Sequence, residues 1–158
     1  NISEQGYRAG NAISNAISQV IRVNSINYSS NKTFKFTLFF AMVYFFTACF
    51  IYIISDSLIK FLFSSEFYSV IIILKMMIVI WFIQSLIRLI NYPILGNLIG
   101  IERVHRLNPI FISLHGTSIA IWLLSSNSLF NMVLLLAITS TLQFLIMFYL
   151  IIRNYKKL

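Results

Sequence analysis

Residues 68–99 form an almost unbroken apolar run, long enough to cross a bilayer, and they carry two cations, Lys75 and Arg88. Few folds are open to such a chain. The apolar runs here are too long and too uniform for the alternating strands of a membrane barrel, so the segment reads as helix. A charge at membrane depth is costly and generally faces a bundle interior or a watery cavity rather than lipid. The chain therefore has something anionic to handle, or a buried charge with a partner elsewhere.

Composition agrees with a hydrocarbon solvent. Of 158 residues, 59% are hydrophobic and 10% charged, a balance that would cover a soluble domain in apolar patches. The net charge of +8 is spread beside apolar runs and forms no dense basic face, which excludes nucleic acid as a partner. The single cysteine, Cys49, sits inside an apolar run and reads as a small buried residue. His105 and His115 have no neighbouring cluster of metal-ligating residues, so no metal site is expected. Phosphate-loop, nucleophile-elbow and zinc-protease motifs are missing, and no cofactor is implied. The polar opening, Asn-Ile-Ser-Glu-Gln-Gly-Tyr-Arg, resembles neither a signal nor a transit peptide, and the chain reads as a piece of something longer.

The pattern predicts an all-α, multi-pass transmembrane bundle of about four spanning helices after an N-terminal amphipathic helix. In residues 1–31, Ile13, Ile17, Val20, Ile21 and Asn24 recur at helical steps, giving a segment that lies on the membrane surface or caps a bundle. Ser29 to Thr33 reads as a turn. The spanning region, 32–158, divides into runs at about 36–54, 68–99, 107–125 and 129–152, each near the ~20 residues a crossing needs. Pro93 and Gly96 are expected to kink the second. Residues 55–67 are too short to span and read as an interfacial or re-entrant turn, with Phe61, Phe63 and Phe67 among the headgroups and Asp56 and Glu66 as solvated charges.

Lysines and arginines set the orientation. Lys32 and Lys35 precede the first run, Arg103 and Arg106 separate the second from the third, and Arg153, Lys156 and Lys157 follow the last. With about four crossings these groups share one side, which places both ends of the spanning region in the cytoplasm.

On a wheel of about 100° per residue, Arg88 lies at the centre of a polar sector roughly 120° wide holding Trp81, Gln84, Ser85, Asn91 and Tyr92. Lys75 faces roughly 140° away, near the start of its run, and reads as an interface anchor. Arg88 lies about 20 Å deeper along the axis. In the third run Asn108, Phe111, His115, Ser118 and Trp122 share a face, and His115 is a candidate for proton coupling or for a bond between helices. Thr139, Ser140 and Gln143 of the fourth run are expected to bond across helices.

One ordered set of signals is more specific. An apolar run is followed by Leu62-Phe63-Ser64-Ser65-Glu66-Phe67-Tyr68 and a second run with a basic residue near its start. Leu95-Gly96-Asn97-Leu98-Ile99-Gly100-Ile101-Glu102-Arg103-Val104-His105-Arg106 comes next, then two more runs and a basic tail. Over residues 32–158 this resembles the C-terminal part of polysaccharide flippases of the MOP superfamily, Wzx-type O-antigen transporters in particular. Ser64 stands where that family often has Gly, and residues 125–129 lack its Gly-x-x-Gly-Ala pattern.

The resemblance implies part of a MATE-like C-terminal lobe, roughly four of about twelve helices, in a bacterial inner membrane. Its implied partners are an undecaprenyl-pyrophosphate-linked oligosaccharide, membrane lipids and missing N-terminal helices of the same protein. Arg88, Gln84, Ser85, Asn91 and Tyr92 would then line a substrate cavity, with the guanidinium on pyrophosphate or an acidic sugar.

Two other readings stand beside it. A transferase acting on lipid-linked sugars would need an acid or base near the cation, and the carboxylates Glu4, Asp56, Glu66 and Glu102 all lie outside the apolar runs, so no enzyme is expected. A small multi-pass accessory or assembly protein is the other.

Overall fold

The protein is described from a computed structural model covering residues 11–21, 23, 30–63, 65, 68, 70–125 and 128–154. These residues are helical almost throughout, with no strand among them. Helix α1 covers residues 11–21. It is followed by α2 (Ser30–Leu62), α3 (Val70–Ile90), a π-helical segment (Asn91–Leu95), α4 (Gly96–Ile99), α5 (Ile101–Leu124) and α6 (Leu129–Asn154). Four helical stretches are long and apolar enough to cross a membrane, with α3, the π segment and α4 acting as one of 30 residues. Large apolar side chains face outward along all of them, with Phe61 87%, Ile53 73% and Leu124 90% exposed. Hydrocarbon is the solvent for which such surfaces are stable.

Two expected turns are helix instead. α2 begins at Ser30, so residues 30–33 are its first turn. It also runs on through residues 55–62 rather than turning there. Nothing between Ser30 and Leu62 breaks a helix, since neither Gly nor Pro occurs. Ser55 Oγ donates to the Tyr52 carbonyl at 2.7 Å, a bond made inside the helix. Asp56 is accordingly a helical residue and not a loop charge. Phe67 and Glu66 lie outside the described residues.

Pro93 and Gly96 do not break the second span. Proline has no N–H and its ring crowds the carbonyl four residues back. The helix widens to π geometry over Asn91–Leu95, which accommodates that ring, and then resumes as α4. It stops at Gly100, whose φ of 89° is one that residues with a Cβ rarely adopt. The third span starts at Ile101 rather than near 107, immediately past that glycine.

α3 sits in the middle of the packing. α2 lies antiparallel along one side, with Tyr44 edge-on to Trp81 (5.8 Å) and Phe45 to Phe82 (5.9 Å). α6 lies parallel to α3 on the other side, and α5 packs antiparallel to α6. A core of Ile87, Leu95, Val104, Phe111 and Met147 joins α3, the π segment, α5 and α6. A second, of Ile21, Tyr44 and Leu89, ties α1 to α2 and α3.

α1 therefore packs within the bundle. Its inward face is Ser14 and Ile21, both buried, with Asn11, Ile17 and Ser18 partly so, while Ile13 and Val20 of the expected apolar stripe point outward. Asn24 lies outside the described residues. The antiparallel order brings Lys32, Lys35, Arg103, Arg106 and Arg153 to one end of the bundle and Asp56, Lys60 and Lys75 towards the other.

Candidate functional site

The polar sector of the second span does not face a single space. Its residues are divided among three neighbours.

Towards α1, Arg88 Nη1 donates to Asn11 Oδ1 at 2.6 Å, Ser18 Oγ donates to the Arg88 carbonyl at 2.9 Å, and the buried hydroxyls of Ser14 and Ser85 lie 3.1 Å apart. A polar helix face thus covers the cation. Towards α6, Gln84 Nε2 donates to Ser140 Oγ at 2.8 Å. Towards α5, Tyr92 Oη accepts from Asn108 Nδ2 at 3.0 Å. Asn91 Oδ1 is buried and has no hydrogen-bond partner among the described residues.

Lys75 is paired with a carboxylate on α2. Its Nζ lies 2.8 Å from Asp56 Oδ2 and 5.0 Å from the centre of the Tyr52 ring. The side chains of the pair remain 24% and 44% exposed. Asp56, a charge that the sequence pattern assigned to solvent, is thus paired.

What the structure does bring together is a cleft of about 420 Å³ between α3, α5 and α6. Gln84, Asn108, His115, Ser140 and Gln143 supply its polar groups, and Ile80, Phe111, Ile112 and Leu136 its apolar ones. Of the residues that the sequence grouped with Arg88, Gln84 alone lines it. The volume falls within the range of about 300–1,000 Å³ typical of small-molecule sites. The mixture of apolar wall and few convergent polar groups is also typical of such sites. The cleft lies near the middle of its helices, since Gln84 is close to the midpoint of the 30-residue span.

His115 is the most heavily bonded group there. Its Nε2 lies 3.1 Å from Gln143 Oε1, and its Nδ1 lies 3.0 Å from Thr139 Oγ1. Helical spacing explains the grouping: Thr139 and Gln143 are four apart on α6 and present both groups to one ring on α5. The expected face of α5 is realised, with Phe111 and Ser118 buried and Asn108, His115 and Trp122 partly buried. Thr139, Ser140 and Gln143 are all buried and all bond across helices.

The sequence pattern missed the convergence of these groups. It placed the likeliest substrate contacts on one helix by angle alone, whereas the cleft takes one residue from α3, two from α5 and two from α6. The signal that would have found it is the stagger of mid-span polar residues on successive helices. Among the described residues no group of metal-ligating side chains is large enough to hold an ion.

No family profile, no curated protein and no solved structure matches the chain.

Proposed function

We propose that the chain is part of an inner-membrane flippase of the MOP superfamily that moves an undecaprenyl-pyrophosphate-linked oligosaccharide, such as an O-antigen unit, from the cytoplasmic to the periplasmic leaflet. The observation that carries the reading is the hydrogen-bonding cleft halfway along helices able to cross a membrane. A flippase needs no covalent step. It must lower the cost of taking a polar headgroup through hydrocarbon, and transporters of this general kind place substrate groups near the bilayer midplane. Amide, hydroxyl and imidazole groups suit sugar hydroxyls, which both donate and accept.

The same reading makes the cleft one wall of a larger cavity whose remaining walls come from other helices of the parent protein, with the basic end of the bundle, which includes Lys32 and Lys35 of α2, oriented by positive charge towards the cytoplasm. Arg88 has its guanidinium bonded to α1, so Gln84, Asn108, His115, Ser140 and Gln143 are assigned the saccharide contacts.

The test is export by the parent protein. Replacing Gln84, Ser140 and Gln143 together by Leu, with membrane insertion confirmed, should abolish surface polysaccharide, whereas Leu at the outward-facing Phe148 and Ile138 should leave it intact. Normal export by the triple variant would refute the assignment.

A further inference from the structure

His115 is held so that it can change charge without losing a hydrogen bond. Thr139 Oγ1 lies within reach of three groups: His115 Nδ1 at 3.0 Å, the Leu135 carbonyl at 3.0 Å and the Leu136 carbonyl at 3.2 Å. A hydroxyl has one proton and two lone pairs. When the ring is neutral, Nε2–H donates to Gln143 Oε1, and Thr139 gives its proton to Nδ1. When a proton is added at Nδ1, Nδ1–H donates to Thr139 Oγ1 and the threonine proton turns to the Leu135 carbonyl. Rotation of one hydroxyl serves both states.

Hydrogen bonds alone do not keep a charge at this depth. An imidazolium in the middle of spanning helices needs an opposite charge. The groups facing His115 are Gln84 of α3, Asn108 of its own helix, and Thr139, Ser140 and Gln143 of α6, all of them neutral. Tyr92 of the π segment bonds Asn108. Arg88, one turn beyond Gln84 on α3, is directed to Asn11 of α1. Among the described residues lining the cleft none is acidic, while Asp56 is paired with Lys75 and Glu102 is exposed at the start of α5.

From this geometry we propose that His115 takes up a proton together with an oxyanion that enters the cleft, a uronic-acid carboxylate or a phosphate, so that the anion and the proton bind as a pair. Each supplies what the other lacks: the proton gives the anion a charged donor, and the anion neutralises the imidazolium. By linkage, each raises the affinity for the other by the same factor. Wherever the ring is neutral without ligand and protonated with the anion bound, anion affinity should rise about tenfold for each pH unit lowered. The proposal rests on the reading of the cleft as the saccharide path and specifies the charge of what it carries.

Calorimetry on the purified parent protein in lipid nanodiscs tests it. Glucuronate, inorganic pyrophosphate and glucose are each titrated at pH 7.5 in two buffers of different protonation heat, which yields the protons taken up per ligand bound. The His115→Gln protein is titrated in parallel, so that protons taken up by a ligand itself cancel. The expected result is about one extra proton with at least one oxyanion, none with glucose, and loss of that proton in His115→Gln. Uptake with glucuronate or with pyrophosphate identifies which oxyanion is the better match. Gln143→Glu provides a second arm: its carboxylate supplies the counter-charge internally, so the ring is protonated before ligand arrives and ligand-linked uptake should vanish. Neither oxyanion drawing a proton, equal uptake in His115→Gln, uptake with glucose, or full uptake in Gln143→Glu would each overturn the proposal. These titrations read binding only. A protein that binds in this way and yet exports nothing counts against the flippase reading and leaves the proton-linked site standing.

Discussion

At the scale of single residues, the interior is held by neutral hydrogen bonds between helices more than by charge. Thr139 is the most exacting of them, because its hydroxyl joins the α6 backbone to the ring of His115. Thr139→Val keeps the shape and deletes that link. It should cost about 1 kcal/mol, near the upper part of the range for interhelical bonds in membranes, and Thr139→Ser should recover most of it. Thermal unfolding in detergent reads both. The Asp56–Lys75 pair is partly exposed and is worth less, under about 1 kcal/mol. Swapping the two residues should restore whatever either single reversal of charge removes, and a double-mutant cycle checks this. Gly100 is constrained by its backbone instead: Gly100→Ala meets no neighbouring atom within 4 Å, yet its φ of 89° should still make the change cost about 1 kcal/mol.

At the scale of elements, the long apolar runs predict spanning helices because period and length carry that information directly. Their ends were harder to place. Residues 55–62 contain serines, an aspartate and a lysine, and polarity alone suggested a turn; the helix continues because no residue there breaks it and because Lys75, nineteen positions away, neutralises Asp56. The wheel identified Gln84, Ser85, Arg88 and Tyr92 as one sector, but a wheel shows which residues share a face and says nothing about which helix covers them. α1 covers Arg88, α6 takes Gln84, and α5 takes Tyr92. The position of α1 was illegible for a related reason. Its inward face is Asn11, Ser14 and Ser18, and a polar face reads as solvent-facing until its partner is known.

This placement of α1 can be trapped chemically. In a Cys49→Ala background, Ser14→Cys with Ser85→Cys should form a disulfide under mild oxidant, since the two hydroxyl oxygens are 3.1 Å apart. A lack of cross-linking, with both cysteines reactive to a small thiol reagent in the denatured protein, would place α1 elsewhere.

At the scale of the whole molecule, α2 meets the rest chiefly through α3, so most of its surface is apolar and outward. α3, α5 and α6 border an open polar cleft. A bundle that only had to be stable would fill that space with apolar side chains, since buried hydrogen-bonded groups are at best modestly stabilising. On the reading proposed above, this cleft is reached from the membrane surface by polar, water-soluble groups. Cysteine accessibility tests it most directly. In the Cys49→Ala protein in native membranes, single cysteines at Asn108 and Gln84 are exposed to a charged, water-soluble thiol reagent and compared with cysteines at Phe148 and Leu142 on the outward face. Labelling at the cleft positions should be many times faster than at the outward ones. Cleft cysteines as slow to react as those at Phe148 and Leu142 would contradict it.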